Sequence, residues 1–292
     1  MGIFRTFLFA PANHPRRVEK ALQLDSDVVI LDLEDACAIS EKVASRSKVV
    51  EAMGRPRSCQ GYVRVNPLST EFAFGDIYEV VQPGLDGIVL PKTESSHDIK
   101  TADWMISCLE KERGLPVGSI DLLPIIETGR GMANLAEILS CESRVRRVAF
   151  GAGDFCLDMN LQWSRNEEEL LAYRSQVVLM SRQAGKEPPI DTVWINLQDT
   201  EGFAESARKA LRMGFQGKLC IYPDQVPVVN NVFTPTDEQV ARARKVVAAF
   251  EQAEKEGSSS FQLDGQFIDY PIVYAAQKLL AVYEKVMSKA TK

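Results

Sequence analysis

Short apolar runs and amphipathic stretches alternate along the chain at a regular spacing. Several runs are apolar throughout, as is typical of parallel strands buried on both faces. The eight predicted strands are TFLFA (6–10), VVIL (28–31), YVRV (62–65), GIVL (87–90), IDLLPII (120–126), RVAF (147–150), DTVWI (191–195) and KLCI (218–221). Eight strand–helix units over about 220 residues predict a closed (β/α)₈ barrel, the TIM barrel.

Helical periodicity marks the segments between these strands. The first helix is predicted to begin at Asn13 as its N-cap, with Pro15 in its first turn. Gly185 and Gly214 are predicted to follow the C-termini of two later helices. The further predicted helices lie in EKVASRSKVVEAM, SHDIKTADWMISCLEKERG, GMANLAEILS, NEEELLAYRSQVVLMSRQAG and GFAESARKALRMG. An open doubly wound sheet is the alternative fold, but FAPANHP supplies no GxGxxG phosphate fingerprint after the first strand.

The chain continues beyond the eighth unit of the predicted barrel. A helix is predicted over about 237–256, followed by GSSS, the segment FQLDGQFIDYP and a last amphipathic helix. This piece is surplus to a barrel. Residues 1–232 are therefore predicted to form the catalytic barrel domain, and residues 233–292 a C-terminal helical lid or oligomerisation arm.

Composition and charge exclude several classes of function. The formal net charge of −6 gives no basic field for a polyanion, so we expect no nucleic-acid partner. Six scattered cysteines without a CxxC pair predict reduced thiols in a cytoplasmic protein and no zinc site. The sequence has no apolar stretch of about 18 residues, so no membrane span is expected. With His14 and His97 as its two histidines, a histidine-rich metal centre is excluded.

Two acidic residues follow neighbouring predicted strands, at the end of the barrel where TIM-barrel enzymes hold their active sites. Glu127 follows the fifth strand and Asp154 the sixth, and each lies beside small residues that leave room for a ligand. Two carboxylates without a histidine or thiolate favour a hard cation such as Mg²⁺. The alternative is a structural ion pair between Glu127 and Arg64 or Arg130.

Further charged residues lie at the same predicted strand ends. Asp32 and Glu34 are expected to point the same way, and Asp35 is a candidate for capping the loop. One of these acids is expected to bond to Arg64 or to a metal-bound water, and at least one to be structural. Arg64 interrupts an apolar run, so it must be paired or face a polar cavity, and its guanidinium suits a carboxylate or an enolate oxygen. Lys92 offers a Schiff-base alternative, although no feature marks it as desolvated.

Three more charged residues lie near the starts of predicted helices. Arg16 and Lys20 lie one turn apart near the start of the first helix, where they form either a phosphate site or a solvated face. Asp269 stands two residues before Pro271, which predicts an N-cap of the last helix.

Eight segments in order resemble the citrate lyase β-subunit-like family of the HpcH/HpaI aldolase superfamily, which includes malyl-CoA and citramalyl-CoA lyases. The similarity covers nearly the whole chain and includes Lys42 after the second segment. Ala12 and Tyr222 depart from the family, which often has Gly and His there. The segments are RTFLFAPANHPRRVEKA, VVILDLEDA, VRVNP, GIVLPK, IIETGRG, FGAGDF, MGFQGKLCIYPDQV and DGQFIDYPIVYAAQKLL.

The resemblance implies a (β/α)₈ barrel, usually trimeric or hexameric, that binds Mg²⁺ and a coenzyme A thioester. It implies Glu127 and Asp154 as the metal ligands, with Glu127 also next to the substrate. It implies Arg64 as the contact to the substrate and the enolate. It also changes the interpretation of Asp269, which is then both a helix cap and a catalytic group that reaches a neighbouring subunit's site.

The same resemblance places coenzyme A near FLFAPANHPRR, which favours Arg16 and Lys20 as its contacts. The expected reaction is the Mg²⁺-dependent retro-Claisen cleavage of a short 3-hydroxyacyl-CoA, with Glu34 and Asp35 as further catalytic candidates. One alternative is a citrate lyase β-subunit that acts on an acyl-carrier-protein thioester, and another is a non-catalytic acyl-CoA-binding barrel. A pyruvate aldolase with a histidine base is disfavoured, because neither His14 nor His97 is at a suitable strand end.

Overall fold

Eight parallel strands close into one barrel, with each strand paired to the next and β8 paired to β1. The computed structural model describes residues 4–290, so residues 1–3 and 291–292 of the two predicted domains lie outside it. The strands are β1 (Thr6–Pro11), β2 (Val28–Asp32), β3 (Gln60–Arg64), β4 (Gly87–Leu90), β5 (Asp121–Ile126), β6 (Ala149–Phe150), β7 (Ile190–Asp191) and β8 (Gly217–Cys220). The predicted TIM barrel is confirmed.

Helices follow the strands along the chain. They are α1 (Pro15–Leu22), α2 (Lys42–Met53), α3 (Ala73–Val80), α4 (Ser96–Glu112), α5 (Gly129–Ala133), α6 (Leu135–Ser140), α7 (Ala152–Asp158), α8 (Leu171–Gln183), α9 (Thr200–Met213), α10 (Gln225–Phe233), α11 (Asp237–Lys255) and α12 (Tyr270–Ala290). Single 3₁₀ turns at Ile39–Glu41 and Glu168–Leu170 precede α2 and α8. Helices α3, α7 and α10 are absent from the sequence-based prediction.

The apolar runs fill the barrel because both faces of each strand are covered. Every residue of β2 is buried. Side chains from the strands meet inside the barrel in one cluster, with Phe4 stacked on Phe7. The buried members of that cluster are Phe4, Phe7, Val28, Ile30, Tyr62, Val89, Leu123, Ile125, Ala149, Ile190 and Leu219.

The seventh strand lies earlier in the chain than predicted. It covers Ile190–Asp191, whereas the prediction placed it at 191–195. Asp191 is fully buried and accepts from Lys218 at 2.5 Å and from Arg174 at 2.8 Å. Although burial raises the pKa of Asp191, the charges of these two cations outweigh it and lower that pKa. Thr192, the first residue after β7, makes a hydrogen bond with its side chain: its hydroxyl accepts from the Ala152 N–H at 2.8 Å.

Helix ends follow the predicted signals with one exception. The N-cap of α1 is His14, and the Asn13 side chain instead donates to Glu41. Pro15 takes the first helical position, as predicted. Gly214 ends α9 with φ of 102°, and Gly185 follows the cap of α8 with φ of 67°, a conformation that glycine adopts without strain.

The described chain forms two compact units, Phe4–Asn230 and the residues from Asn231 onward. The second unit packs α11 against α12 and a two-stranded hairpin of β9 (Phe261–Leu263) and β10 (Gln266–Ile268). Its core is Val246, Phe250, Ile268 and Val273. Asp269 accepts from the Ile272 N–H at 3.4 Å, in agreement with the predicted cap. No helix among the described residues is long and apolar enough to cross a membrane.

Candidate active site

Acidic and basic side chains gather at the carboxyl ends of β2 to β6, at the rim here called the mouth of the barrel. Asp32 and Arg64 are the last residues of β2 and β3 and are register partners. Arg64 donates from Nε to Asp32 Oδ1 at 2.7 Å and from Nη2 to Oδ2 at 2.6 Å. Although burial raises the pKa of Asp32, the Arg64 guanidinium outweighs burial and lowers it. Asp32 therefore fixes the plane of the guanidinium.

Glu34 lies between two cations at the mouth. Its Oε2 is 2.8 Å from Arg64 Nη1, and its Oε1 accepts from Lys92 Nζ at 2.6 Å. The buried Lys42 ammonium holds this turn by donating to the Leu33 and Glu34 carbonyls at 2.9 and 2.7 Å. Burial raises the pKa of Glu34 in spite of both cations. Asp32 and Glu34 thus both contact Arg64, as their predicted common direction requires.

Asp35 differs from its two acidic neighbours. Its side chain is 59% exposed, and its carboxylate is 3.6 Å from Arg64 Nη1. The structure therefore distinguishes three acids whose contacts the sequence left undecided. Asp32 orients Arg64, Glu34 bridges two cations, and Asp35 faces solvent. Catalytic roles for Glu34 and Asp35 stay predictions.

Glu127 is a buried carboxylate with one oxygen unbonded. It is 3% exposed, and its Oε1 accepts from the Lys92 N–H at 2.7 Å. Among residues 4–290, no donor reaches its Oε2, and a Cβ added at Gly151 would meet that oxygen at 2.5 Å. Burial, reinforced by the charges of Glu34 and Asp154, raises the pKa of Glu127 to about 8. In the described part of the chain Glu127 forms neither of the ion pairs considered as alternatives.

Asp154 lies in the first turn of α7, opposite this carboxylate. Its side chain is 33% exposed, and its Oδ1 is 3.5 Å from Lys92 Nζ. Its charge contributes to the raised pKa of Glu127, which places the two acids within electrostatic range of each other. A Cβ added at Gly153 would meet no atom within 4 Å. There is consequently open space next to Asp154.

The donor set at the mouth fits a hard divalent cation. The described residues contain no group of three or more His, Cys, Asp or Glu side chains that could hold a metal. Mg²⁺ needs no such group, because one or two carboxylates suffice when water and substrate oxygens complete its octahedron. Glu127 offers a free oxygen beside a glycine, and Asp154 a half-exposed carboxylate beside open space. These two residues are the acids that the sequence predicted for this purpose.

A cavity lies beside strand β1 and helix α1. Its volume is about 340 Å³, and Arg17 and Lys20 supply its cations. Arg16 is exposed on the same helix but does not line the cavity. Tyr222, one of the two departures from the family pattern, lies on the cavity wall. Sequence reasoning missed Arg17, although its three-residue spacing from Lys20 places both on one helix face.

The (β/α)₈ fold, with charged side chains gathered at the carboxyl ends of its strands, is the architecture of α/β-barrel enzymes. The sequence profile of the HpcH/HpaI aldolase/citrate lyase family matches residues 5–223. The citrate lyase subunit beta of Leuconostoc mesenteroides subsp. cremoris is 36% identical over 278 residues, with 94% of this chain and 92% of that protein covered. The L-malyl-CoA/beta-methylmalyl-CoA lyase of Cereibacter sphaeroides is 30% identical over 304 residues, with 97% and 95% covered.

A solved structure agrees with these two relatives. The protein CitE from Mycobacterium tuberculosis, crystallised with magnesium, acetoacetate and coenzyme A, matches with a TM-score of 0.79 at 29% identity, covering 97% of this chain and 98% of that one. The chain belongs to the HpcH/HpaI aldolase/citrate lyase family. It is a lyase of the citrate lyase β-subunit or HpcH aldolase type, as the resemblance predicted, and the non-catalytic alternative is set aside.

Proposed function

We propose that the protein is a Mg²⁺-dependent carbon–carbon lyase that cleaves a short 3-hydroxyacyl-CoA of the citramalyl-CoA or malyl-CoA type. The products are acetyl-CoA and an α-keto acid. The observation that carries the proposal is the pair formed by Glu127 and Asp154 at the mouth, one buried with a free oxygen and one half-exposed. The relatives support it, because one is named a malyl-CoA lyase and CitE was crystallised with magnesium and coenzyme A.

Glu127 and Asp154 are the residues that would hold the metal ion. A bound Mg²⁺ supplies Lewis acidity, which lowers the pKa of the substrate's 3-hydroxyl and polarises the nascent keto group. The Lys92 N–H fixes Glu127 Oε1 at 2.7 Å, which leaves Oε2 for a ligand. Gly151 keeps the space next to that oxygen clear. The chain itself therefore holds the metal-binding carboxylate in one orientation.

Arg64 is proposed to stabilise the negative charge that develops on the thioester oxygen as the enolate forms. Its guanidinium lies 4.8 Å from the centre of the Phe9 ring and is held by Asp32 through two hydrogen bonds. A donor that is fixed before the reaction needs no reorganisation when charge appears, which makes it effective in a site with little water. Preorganisation by Asp32 is thus part of the proposed role of Arg64.

The cavity beside α1 is the proposed site for coenzyme A. Arg17 and Lys20 provide positive charge for its phosphates, while Leu8 and Ala10 provide an apolar wall for its pantetheine arm. Arg16 stays a predicted contact. The cavity lies against β1 and the segment after β8, and β1 pairs with β2, the first strand of the mouth.

Asp269 is proposed to act in the site of a neighbouring copy, as the general acid that protonates the enolate carbon. Helix α7 exposes Leu157, the segment after β7 exposes Ile195 and Leu197, and the C-terminal unit exposes Phe267 and Tyr274. These apolar side chains offer surface that a partner could bury. They support a homo-oligomer, for which a trimer or hexamer is expected, and the cytoplasmic location also stays a prediction.

Mixing two inactive variants tests the role of Asp269. Asp154→Ala removes a metal ligand, and Asp269→Asn removes the acid but keeps a competent helix cap. We expect each variant alone to be inactive, whereas co-expressed, randomly mixed oligomers regain roughly a quarter of wild-type activity, because some sites receive both intact groups from different chains. No recovery in mixed oligomers of normal size would show that Asp269 does not serve a neighbour.

Gly151→Ala tests the space next to Glu127. The added methyl group would lie 2.5 Å from Glu127 Oε2 and 2.8 Å from Ile125 Cγ2, so it would push the carboxylate out of position, and we expect kcat/KM to fall by about 10²-fold. The backbone φ of −107° at Gly151 accepts alanine, so the effect reports on the side chain. Gly54→Ala is the matched control, because an added Cβ at this position after α2 would have only ordinary contacts of 3.6 Å and longer at a φ of −74°, and it should leave kcat/KM unchanged. Equal effects at both positions would contradict the proposed crowding.

A substrate panel tests the proposed function as a whole. The purified chain should cleave malyl-CoA or one citramalyl-CoA isomer in a Mg²⁺-dependent way, and citryl-CoA is assayed beside them. The second candidate, a citrate lyase β-subunit acting on an acyl-carrier-protein thioester, is favoured by the 36% identity to such a subunit. Turnover of the carrier-protein thioester without turnover of any free CoA ester would establish that candidate instead.

A further inference from the structure

Lys92 contacts three carboxylates through two different groups. Its backbone N–H donates to Glu127 Oε1 at 2.7 Å. Its ammonium donates to Glu34 Oε1 at 2.6 Å and lies 3.5 Å from Asp154 Oδ1. The side chain is 33% exposed, so it retains room to move. One residue at the end of β4 therefore bonds to one proposed metal ligand and pairs with the other.

The charge balance of the mouth depends on this ammonium. Arg64 is held by Asp32 through two hydrogen bonds, and among the described residues the one ion pair of Asp154 is with Lys92. A lysine ammonium is charged at neutral pH, and that of Lys92 faces both Glu34 and Asp154. The ammonium is thus a permanent cation beside the carboxylates proposed to bind Mg²⁺.

Two cations on one carboxylate repel each other. At 3.5 Å from Asp154 Oδ1, the ammonium is close enough to oppose a divalent ion on the same group. Glu34 provides an alternative partner, because it already accepts from Lys92 at 2.6 Å. A shift of the ammonium away from Asp154 leaves this hydrogen bond available. The geometry therefore allows the lysine to release Asp154 without losing every partner.

We propose that Lys92 is a positioning residue that acts as a resident counter-cation of the metal site. Its ammonium pairs with Asp154 while no metal is bound, and it withdraws to Glu34 when a divalent ion binds. This inference rests on the proposed metal ligands Glu127 and Asp154. Its consequence is that Lys92 weakens Mg²⁺ binding, whereas a lysine that merely supported the site would strengthen it. The sign of the effect on affinity distinguishes the two roles.

The backbone of Lys92 offers a clean way to remove the charge. Its φ of 47° lies in the left-handed region, which glycine adopts freely and which side chains adopt rarely. Lys92→Gly therefore deletes the ammonium and keeps the N–H that orients Glu127. Lys92→Met also removes the charge, but, like lysine, methionine has a side chain and adopts this left-handed backbone conformation with strain. Agreement between the two variants isolates the charge from the backbone.

Calorimetric titration of metal-free protein with Mg²⁺ tests the proposal. Lys92→Gly and Lys92→Met should both bind Mg²⁺ about tenfold more tightly than wild type, as expected when one nearby positive charge is removed. Lys92→Arg retains the charge and should bind no more tightly than wild type. Lys245→Met is the matched control, since it removes a lysine from an exposed pair with Asp264 in the C-terminal unit, and its affinity should equal that of wild type.

Melting temperatures in chelator and in saturating Mg²⁺ provide the second measurement. Both charge-removing variants should show a lower melting temperature in chelator and a larger rise with Mg²⁺ than wild type. Unchanged or weaker Mg²⁺ affinity in both variants, or tighter binding by Lys92→Gly alone, would overturn the counter-cation role. Wild-type protein that binds no Mg²⁺ would instead overturn the proposed function, so the two failures are distinguishable.

Discussion

Replacing Asp154 by alanine is expected to lower kcat by about 10³-fold or more without unfolding the barrel. The loss follows because Lewis-acid stabilisation of the developing charge is worth several kcal/mol and depends on a carboxylate that retains the ion. The fold should tolerate the change, since Asp154 is 33% exposed and its ion pair with Lys92 is long at 3.5 Å. Steady-state kinetics in saturating Mg²⁺ and thermal melts by circular dichroism measure the two effects.

Two comparisons make this result specific to the metal. Asp154→Asn keeps the shape of the side chain but not its charge, so it should lose as much activity as the alanine variant. Chelator should reduce wild-type activity to the level of the variants and change the variants little. Activity that persists in chelator-treated Asp154→Ala would show that the reaction does not depend on an ion at this residue.

Most strands were predictable because the physics that buries them is visible in the sequence. Val28–Asp32 has no solvent-facing side, and its run of apolar residues signals this directly. β7 was placed wrongly because its apolar continuation through Trp194 suggests a longer strand. In the structure the residues after Asp191 leave the sheet, and the Trp194 carbonyl accepts a hydrogen bond from the side chain of Gln225, Nε2, at 3.0 Å. Such bonds depend on tertiary neighbours that periodicity does not reveal.

The C-terminal hairpin was missed although its signal is in the sequence. Asp264 and Gly265 form a two-residue turn with φ of 49° and 80°, the pattern that Asp-Gly favours between short antiparallel strands. The sequence-based prediction assigns no secondary structure to this segment, whose strands are only three residues long. Short strands carry too few alternations to stand out from a loop.

The acids and Arg64 were predictable for a simple geometric reason. Side chains that follow parallel strands of a barrel converge on one rim, so position along the chain predicts proximity. What each side chain bonds to was not predictable in the same way. The contact of the Lys92 N–H with Glu127 depends on a φ of 47°, and the reach of Lys42 to the Glu34 carbonyl depends on a buried lysine that folds back from α2. Both are products of packing.

Replacing Glu127 by glutamine is expected to abolish turnover and, in metal-free protein, to raise the free energy of unfolding at alkaline pH. The pKa of Glu127 lies near 8 in the folded state, above its ordinary value of 4.5, because of burial and the facing charges of Glu34 and Asp154. The folded state therefore binds this proton more tightly than the unfolded state. The resulting stability is fully present below about pH 4.5 and is lost as the pH rises through 8.

Glutamine carries no charge at any pH, so the variant does not incur this loss. At pH 9 in chelator we expect its free energy of unfolding to exceed that of wild type by about 1–3 kcal/mol, with the difference shrinking toward zero near pH 5. Urea unfolding of both proteins at pH 9 and at pH 5 measures this difference in the free energy of unfolding. Turnover should fall by about 10³-fold at the same time, because a neutral amide is a poor ligand for a hard cation.

The opposite signs of these two effects are the strongest check on the role of Glu127. A carboxylate kept for stability would be paired with a cation, and its loss would lower the free energy of unfolding. Glu127 instead has a free oxygen, two acidic neighbours that raise its pKa, and Arg64 and the Lys92 N–H as the groups that oppose the rise. A less stable Glu127→Gln variant at pH 9 would mean that the buried charge is compensated within the chain and that no ion is needed to balance it.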